Sequence, residues 1–365
     1  MINIIIGTKA QLVKMAPIMA GLQNKNIEYN FIFTGQHKET INELLNTFKL
    51  KMPNFTLYQG NDITGVFQMI LWVIRSLIQT IVQKKQIFRD QKGIALVHGD
   101  AFSALLGALM AKIGGLKVGY IEAGLRSFKL FEPFPEEITR RITSLLVDYH
   151  FCPGKFAYEN SKKYGGEKIN TGANTLYDTL QTTLNDAGGN NHIDIPSDKY
   201  CVVSIHRFEN IFDKRKLLLI INLLEKISSR VKVLFILHLP TKLKLGEFDL
   251  LARLQKNENV ELRPRYNYFQ FIRLVRESEF IMTDGGSNQE ENYFLGKPCL
   301  LLRTATERKE GLGKNVVISH FQAKIIDEFM QNYKKYTSSP VHIPISPSNI
   351  IIDNILGYAS YGQLR

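Results

Sequence analysis

Three carboxylates occur where predicted β-strands end, which is a position that α/β proteins use for chemistry. Asp100 ends the segment Val97-His98-Gly99-Asp100, Glu122 follows another strand, and Glu136 opens a helix. In an open parallel sheet the carboxyl ends of the strands share one edge, and ligands bind there. The plain alternative is that each carboxylate only caps or ends its element. Because three occur together, we favour acid–base chemistry by these groups.

A second group of residues is suited to holding a diphosphate. Asp284-Gly285-Gly286-Ser287 lies between a predicted strand and a helix, where small residues let a ligand approach the backbone N–H groups. We place Glu290 and Glu291 in the first turn of that helix, where a carboxylate can accept paired hydroxyls such as those of a ribose, or can simply offset the helix dipole. Arg303 and Arg308 follow the next strand and can order a loop or hold a phosphate.

The remaining candidate groups also favour an anionic ligand. Lys9 and Lys14 lie near a predicted helix N-terminus that follows a glycine turn, and His206 follows a later strand. The sequence has no GxGxxG, Walker or GxSxG pattern and no pair of His or Cys with metal spacing, so we expect no cofactor and no metal. Carboxylates, a histidine and anion donors together indicate proton transfer at carbon beside departure of a phosphate leaving group.

The elements that must position these residues alternate between strand and helix. With 365 residues the chain exceeds the usual size of a single core, and the alternation restarts at Tyr200. We predict an α/β protein with two Rossmann-like, doubly wound domains facing a central cleft, formed by residues 1–172 and 173–347. Residues 186–198 are polar and predicted to be weakly structured.

Composition narrows the class of partner and the compartment. The net charge of +12 favours an acidic ligand, but Lys and Arg are spread along the chain and no nucleic-acid motif is present, so we expect no nucleic acid. Cys152, Cys201 and Cys299 are far apart, which suits a reducing cytoplasm. The first residues are predicted to form a buried strand, so we expect no signal peptide.

Residues 64–82 form an unusually apolar segment around Trp72. Arg75, Ser76 and Gln79 interrupt it, and such groups are costly in lipid, so we expect no integral membrane segment. We predict an amphipathic helix that packs on the sheet or in the interface of a homodimer. An interfacial membrane helix is the alternative.

Taken together, these motifs resemble the bacterial non-hydrolysing UDP-N-acetylglucosamine 2-epimerases. The resemblance runs from Gly7 to about Gly313. It rests on Gly7-Thr8 with Lys14-Met15-Ala16-Pro17, Thr34-Gly35-Gln36-His37, His98-Gly99-Asp100, Glu122-Ala123-Gly124-Leu125-Arg126, Pro133-Phe134-Pro135-Glu136-Glu137 with Arg140, His206-Arg207 with Glu209-Asn210, Gln289-Glu290-Glu291 and Thr306-Glu307-Arg308.

The resemblance implies a GT-B-like fold whose last helix, within residues 348–365 and capped by Ser348, packs back on the first domain. It implies elimination of UDP from UDP-GlcNAc to 2-acetamidoglucal, followed by re-addition to give UDP-ManNAc for surface polysaccharide synthesis. The implied acid–base residues are Asp100, Glu122 and Glu136, with His206 beside the leaving diphosphate. The implied substrate-binding residues are Lys9, Lys14, Arg140, Arg207, Phe271 near the uracil, Gly286, Ser287, Glu291 and Arg308.

Three departures from the family pattern bear on the ligand. Lys9 stands where the family has arginine, Gly285 where it has serine, and Phe208 where it has a second arginine after His-Arg. The planar guanidinium of arginine can bind phosphate through two hydrogen bonds, whereas the ammonium of lysine acts as a point charge. The diphosphate contacts are therefore expected to differ. The open alternatives are a modified UDP-HexNAc as substrate, a hydrolysing epimerase, a GT-B glycosyltransferase or a catalytically silent binding protein; the intact carboxylates and His206 argue against the last.

Overall fold

The computed structural model describes residues 1–36, 41–60, 62–63, 66–90, 92–128, 135–186 and 193–362. His37, Pro133 and Phe134 of the quoted motifs lie outside these ranges, as do the first residues of the 64–82 segment, part of the 186–198 loop and the last three residues of the chain. The chain divides into two compact units, Met1–Thr179 with Ile343–Arg365, and Leu180–His342. Each unit contains one sheet whose strands all pair in parallel, which confirms the predicted α/β fold with two doubly wound domains.

The first unit is built on a 7-stranded sheet with the order β3-β2-β1-β4-β5-β6-β7. Its strands are β1 (Ile2–Ile6), β2 (Tyr29–Phe33), β3 (Phe55–Thr56), β4 (Ile94–His98), β5 (Lys117–Ile121), β6 (Tyr149–Cys152) and β7 (Glu167–Asn170). The chain order reverses on either side of β1, which pairs with both β2 and β4. The carboxyl ends of β4 and β5, side by side, therefore bring Asp100 and Glu122 to the same edge.

The second unit repeats this arrangement with a 6-stranded sheet of order β10-β9-β8-β11-β12-β13. Its strands are β8 (Tyr200–Ser204), β9 (Lys232–Leu237), β10 (Val260–Pro264), β11 (Ile281–Thr283), β12 (Cys299–Leu301) and β13 (Val316–Ile318). Strand β8 pairs with β9 on one side and β11 on the other, so His206 and Asp284 leave the sheet at neighbouring positions.

Helices alternate with these strands along the chain. In chain order they are α1 (Lys9–Asn24), α2 (Ile41–Thr47), α3 (Val66–Phe88), α4 (Phe102–Ile113), α5 (Glu136–Leu146), α6 (Lys155–Ser161), α7 (Leu176–Asn185), α8 (Phe208–Ile211), α9 (Lys214–Ser228), α10 (Leu239–Glu247), α11 (Leu251–Gln255), α12 (Tyr268–Glu277), α13 (Gly286–Leu295), α14 (Ala323–Asn332) and α15 (Pro347–Gly362). Strands β3 and β7 were not predicted, because each is short and neither carries a run of buried apolar residues.

The start of α1 is fixed through the side chain of Gln11. Thr8 is the N-cap, and its side chain and that of Gln11 form a capping box. Gln11 also donates from Nε2 to the carbonyl of His98 at 2.7 Å. One amide therefore caps a helix and fastens the β1 loop to the end of β4, beside the predicted chemistry.

Helix α3 confirms that the apolar segment around Trp72 is helical. Trp72 is buried and donates from Nε1 to the Thr34 carbonyl at 3.2 Å, which anchors the inner face of the helix. The outer face is also apolar, and its side chains Phe67, Ile70, Ile74, Ile78 and Ile81 are each at least 49% exposed. Within the described ranges no helix has both the length and the apolar composition needed to cross a bilayer.

Helix α15 returns to the first unit and packs on α1. A Cβ placed at Gly21 would lie 2.5 Å from Cδ1 of Ile352, so the two helices approach closely at a glycine. The predicted cap at Ser348 is wrong: the helix begins at Pro347, and Ser346 Oγ accepts the N–H of Asn349 at 3.1 Å. Proline at the first position lacks only an N–H that would have no helical partner, so the cap falls one residue before it.

Candidate active site

In the first unit, Glu122 is at the centre of the candidate site. It follows β5 with φ of 67°, a left-handed conformation that is unusual for a residue other than glycine. Its carboxylate is nearly buried, and Lys14 Nζ lies 2.9 Å from Oε1 and 3.1 Å from Oε2. Asn174 donates to Oε1 at 2.7 Å, and His98 Nε2 is 3.7 Å from Oε2. Lys14 and Asn174, as hydrogen-bond donors, stabilise the ionised carboxylate, the form that accepts a proton.

A glycine makes room for this carboxylate. Gly99 has φ of +69°, and a Cβ there would lie 3.1 Å from Oε2 of Glu122. A larger residue would be strained in this conformation and would crowd the carboxylate. A glycine is therefore needed between His98 and Asp100, because β4 and β5 lie side by side and a side chain there would crowd Glu122.

Asp100 pairs with Arg140, a residue that comes from α5. Arg140 Nη2 contacts Asp100 Oδ2, and Arg140 is almost completely buried. Glu137, also buried, contacts Arg140 at 3.5 Å and Arg141 at 3.0 Å within α5, and its Oε2 accepts the N–H of Ser127 at 3.3 Å, which ties α5 to the loop after β5. The alternative in which Asp100 merely caps α4 is not supported, since the N-cap is Ala101 and no side chain caps that turn.

The other predicted residues of the first unit take different positions. Glu136 is the first residue of α5 and is half-buried. This position also fits the alternative that Glu136 only starts its helix. Lys9 is the first residue of α1 and half-buried. Lys14, predicted to bind substrate, is buried one turn farther along α1 and contacts Glu122.

In the second unit, His206 is held by a buried aspartate. Asp284 accepts hydrogen bonds from the N–H groups of His206 at 3.1 Å and Arg207 at 2.9 Å, and from Asn210 Nδ2 at 3.0 Å. Asp284 Oδ1 also lies 3.2 Å from His206 Nδ1. An aspartate that accepts from Nδ1–H leaves Nε2 as the working atom of the imidazole, as in other oriented acid–base pairs.

The surroundings of His206 lower its pKa. Partial burial, followed by the positive charges of Arg207, Arg265 and Arg303, lowers the pKa of His206 below its ordinary value of 6.5, although the Asp284 carboxylate lies beside Nδ1. The His206 side chain is 39% exposed, so a ligand can reach its ring. The ring of His238 stacks on that of His206, with ring centroids 4.7 Å apart. A neutral imidazole among arginines is suited to meet a diphosphate and to gain a proton when that anion binds.

The glycine loop lies against a group of ion pairs. A Cβ placed at Gly286 would be 2.9 Å from both Arg308 Nε and Glu307 Oε1, so only glycine leaves these side chains where they are. Glu307 also contacts Arg303 at 3.1 Å and Arg207 at 3.6 Å. The cluster places several guanidinium groups beside the start of α13, where anions bind.

Helix α13 carries the remaining predicted ligands, with one correction. Ser287 lies in its first turn and is half-buried, but Glu290 and Glu291 are not in that turn as predicted. The helix begins at Gly286, so they occupy the second turn. Glu291 Oε2 accepts from Asn288 Nδ2 at 2.9 Å. Burial and the Glu291 carboxylate raise the pKa of Tyr268 well above its ordinary value.

Phe271 lies on α12 and packs, partly buried, against the apolar core of the second unit. Stacking on uracil is not tested by this packing, so that role stays a prediction. Among the described residues no three His, Cys, Asp or Glu side chains are grouped as metal ligands are.

Sequence reasoning missed three residues that the structure brings into these sites. Asp284 was quoted within the glycine loop without a role, although it follows a strand as Asp100 does. Asn174 lies outside every motif quoted above, and His98 stands in one of them without a role of its own. Their partners Glu122 and His206 are distant in sequence, so no local pattern could have identified the contacts.

Comparison with known proteins identifies the family to which the chain belongs. The family model for UDP-N-acetylglucosamine 2-epimerase matches residues 20–342. A UDP-N-acetylglucosamine 2-epimerase of Methanocaldococcus jannaschii is 31% identical over 381 residues, covering 99% of this chain and 100% of the relative. The enzyme of that name from Neisseria meningitidis is 30% identical, covering 96% of this chain and 98% of the relative.

Solved structures extend the likeness to the whole fold. The Methanocaldococcus jannaschii enzyme in complex with UDP-GlcNAc and UDP superposes with a TM-score of 0.83 at 27% identity, covering 98% of this chain and 99% of the other. The Neisseria meningitidis enzyme bound to UDP-GlcNAc gives 0.79 at 28% identity, with the same coverage. Since the family model spans most of the sequence, the chain belongs to the UDP-N-acetylglucosamine 2-epimerase family, a family of enzymes of the epimerase class.

Proposed function

We propose that this enzyme interconverts UDP-GlcNAc and UDP-ManNAc. The observation that carries the proposal is the buried Glu122 carboxylate, which accepts from Lys14 and Asn174 at the carboxyl edge of the first sheet. A carboxylate held ionised in this way fits a general base that removes a proton from carbon. The relatives' names and their bound UDP-GlcNAc support the choice of substrate.

The proposed reaction has two halves. In the first, a carboxylate takes the proton from C2, the C1–O bond breaks, and its electron pair leaves with UDP to give 2-acetamidoglucal. In the second, a diphosphate oxygen of UDP bonds again to C1, and a proton is delivered to the opposite face of C2. We assign the proton transfers to Asp100, Glu122 and Glu136, with Lys14 keeping Glu122 ionised.

The second unit is proposed to bind the UDP part. Gly286, Ser287 and Arg308 at the start of α13 would hold the diphosphate, Arg207 and His206 would meet its developing charge, and Glu291 would accept the ribose hydroxyls. Lys9 and Arg140 are proposed as substrate ligands of the first unit, and Phe271 as a neighbour of the uracil. Stabilising negative charge on a leaving group is usually a large part of catalysis, so His206→Ala should be costly.

The test is NMR of UDP-GlcNAc with the protein in D₂O. Deuterium should enter at C2 and UDP-ManNAc should accumulate without added NAD or metal, and Glu122→Gln should abolish both. Glu159→Gln is the matched control, because Glu159 is exposed and pairs with the exposed Lys162 at 2.7 Å. Protium that persists at C2 with an active preparation would reject the epimerase; free ManNAc with UDP would indicate the hydrolysing reaction, and transfer to an acceptor a glycosyltransferase.

One observation favours a second candidate, a modified UDP-HexNAc. Phe208 follows Arg207 directly, is 67% exposed, and stacks on Phe212 with centroids 4.0 Å apart. An exposed aromatic pair stands where the family has a second arginine, and it suits a sugar with an apolar substituent. Comparing kcat/KM for UDP-GlcNAc with that for UDP-sugars bearing other N-acyl or deoxy groups would decide between the two.

The partner and compartment are also proposed. The outer face of α3 suits burial against a second copy, so we infer a homodimer. We infer a cytoplasmic enzyme that supplies surface polysaccharide synthesis, which fits the three buried free thiols Cys152, Cys201 and Cys299, since a reducing compartment keeps thiols free.

A further inference from the structure

Asn174 is buried at the end of the loop that follows β7, and its amide reaches the candidate base. Only 2% of its surface is exposed, and Nδ2 lies 2.7 Å from Oε1 of Glu122. The loop itself is fixed, because the N–H of Thr171 donates to the carbonyl of Cys152 at 2.9 Å and its Oγ1 donates to the carbonyl of Ala173 at 2.7 Å. A fixed loop therefore places an amide donor against a buried carboxylate.

The orientation of this amide follows from its other contacts. Asn174 Oδ1 accepts from the backbone N–H of Leu176 at 3.3 Å, a group that can only donate. The oxygen must therefore face Leu176, and Nδ2 must face Glu122. Farther along the same segment, Thr179 Oγ1 donates to the carbonyl of Val13 at 2.8 Å. The segment is thus tied both to Glu122 and to the neighbour of Lys14.

We propose that Asn174 is a positioning residue that sets the orientation of the Glu122 carboxylate for proton transfer. The proposal rests on the proposed role of Glu122. Lys14 supplies charge, but its ammonium contacts both oxygens and can rotate between them. The planar amide of Asn174 binds one oxygen from a rigid loop and so fixes the plane of the carboxylate.

The charged and titratable groups facing Glu122 are few among the described residues. Lys14 comes from α1, His98 comes from β4, and Asp100 is paired with Arg140 at the same sheet edge. Replacing the amide donor by a carboxylate would add a second negative charge beside Glu122. The effect should therefore depend on pH.

Asn174→Asp is the sharpest test, because it keeps the shape and the oxygen that accepts from Leu176 but turns the donor into an acceptor. We expect kcat to fall about tenfold to a hundredfold with KM nearly unchanged, since one hydrogen bond to a charged group is lost. The deficit relative to the wild type should shrink as pH falls, because a protonated carboxyl group can donate again. Asn174→Ala should show the same loss of kcat without the recovery at low pH.

Asn160→Asp is the matched control. Asn160 is a partly buried asparagine of the same unit, and its Nδ2 donates at 3.0 Å to the carbonyl of Gly124 instead of to a carboxylate. It should leave kcat and the pH profile unchanged. UDP affinity and thermal unfolding are measured for every variant, to separate positioning from folding.

Two results would overturn the inference. One is an Asn174→Asp enzyme with wild-type kcat at neutral pH; the other is a loss that has no pH dependence and follows the melting temperature. If Asn174→Asp does not fold, the split between kcat and KM in Asn174→Ala decides the question in the same way. A wild type that exchanges no C2 proton instead rejects the proposed function itself, so the two failures can be told apart.

Discussion

Lys14 Nζ lies 2.9 Å from Oε1 of Glu122, and both side chains are almost completely removed from solvent. The two residues are far apart in the chain and meet because α1 follows β1 and Glu122 follows β5 in one parallel sheet. A buried pair of this kind is costly to break from one side, since the remaining charge has no compensation.

Lys14→Met should destabilise the protein by about 3–5 kcal/mol, because it leaves the buried Glu122 carboxylate uncompensated. Adding Glu122→Gln should recover part of that loss, since the second change removes the charge. Urea unfolding of the two single variants and the double variant measures this coupling. Lys25→Met is the control, as the contact of Lys25 with Asp353 at 3.7 Å is exposed to solvent; equal losses for the two lysines would contradict the prediction.

His206 should remain neutral in the free enzyme at a pH where an unperturbed histidine is already protonated. Burial and then Arg207, Arg265 and Arg303 lower its pKa below 6.5, so the folded protein binds this proton only at a lower pH than the unfolded chain does. Saturating UDP should move the midpoint upward, because its negative charges favour the imidazolium. The measurement is an NMR titration of the imidazole carbons, with His206→Asn identifying the signal. A midpoint that does not respond to UDP would separate His206 from the diphosphate.

Gly286→Ala should weaken UDP binding tenfold or more, about 1.4 kcal/mol or above. The added Cβ would lie 2.9 Å from Arg308 Nε and Glu307 Oε1, so both side chains must shift away from the start of α13. Calorimetry with UDP measures the loss. Gly246→Ala is the matched control in the same unit, because a Cβ there meets nothing within 4 Å. Unchanged affinity in Gly286→Ala would mean that this loop does not hold the diphosphate.

Ile78→Glu should convert the expected dimer to a monomer. Ile78 is 57% exposed near the middle of the apolar outer face of α3, where a charge would be buried if a second copy packs on it. Sedimentation equilibrium of the wild type and the variant gives the result. Met52→Glu, at a residue 54% exposed in the same unit, should leave the mass unchanged. A monomeric wild type that floats with anionic vesicles would favour the interfacial membrane alternative.

The sequence alone was enough to predict two doubly wound sheets, because their strands are short apolar runs and their helices repeat at helical spacing. It also placed Asp100 and Glu122 at one sheet edge, since parallel strands end on the same side. It did not predict β3 and β7, because their residues are partly exposed and lack a distinctive pattern.

Only the tertiary structure decided which groups touch. Lys14 and Asn174 both contact Glu122, and Asp284 contacts His206, although these residues are far apart in sequence. Such contacts depend on the order in which strands are laid into the sheet, and residue type does not encode that order locally. The same reason explains why a lysine predicted to bind phosphate is found paired with a carboxylate. The chain therefore specifies its reactive groups residue by residue, while their partners follow from the packing of β1, β4, β5, β8 and β11.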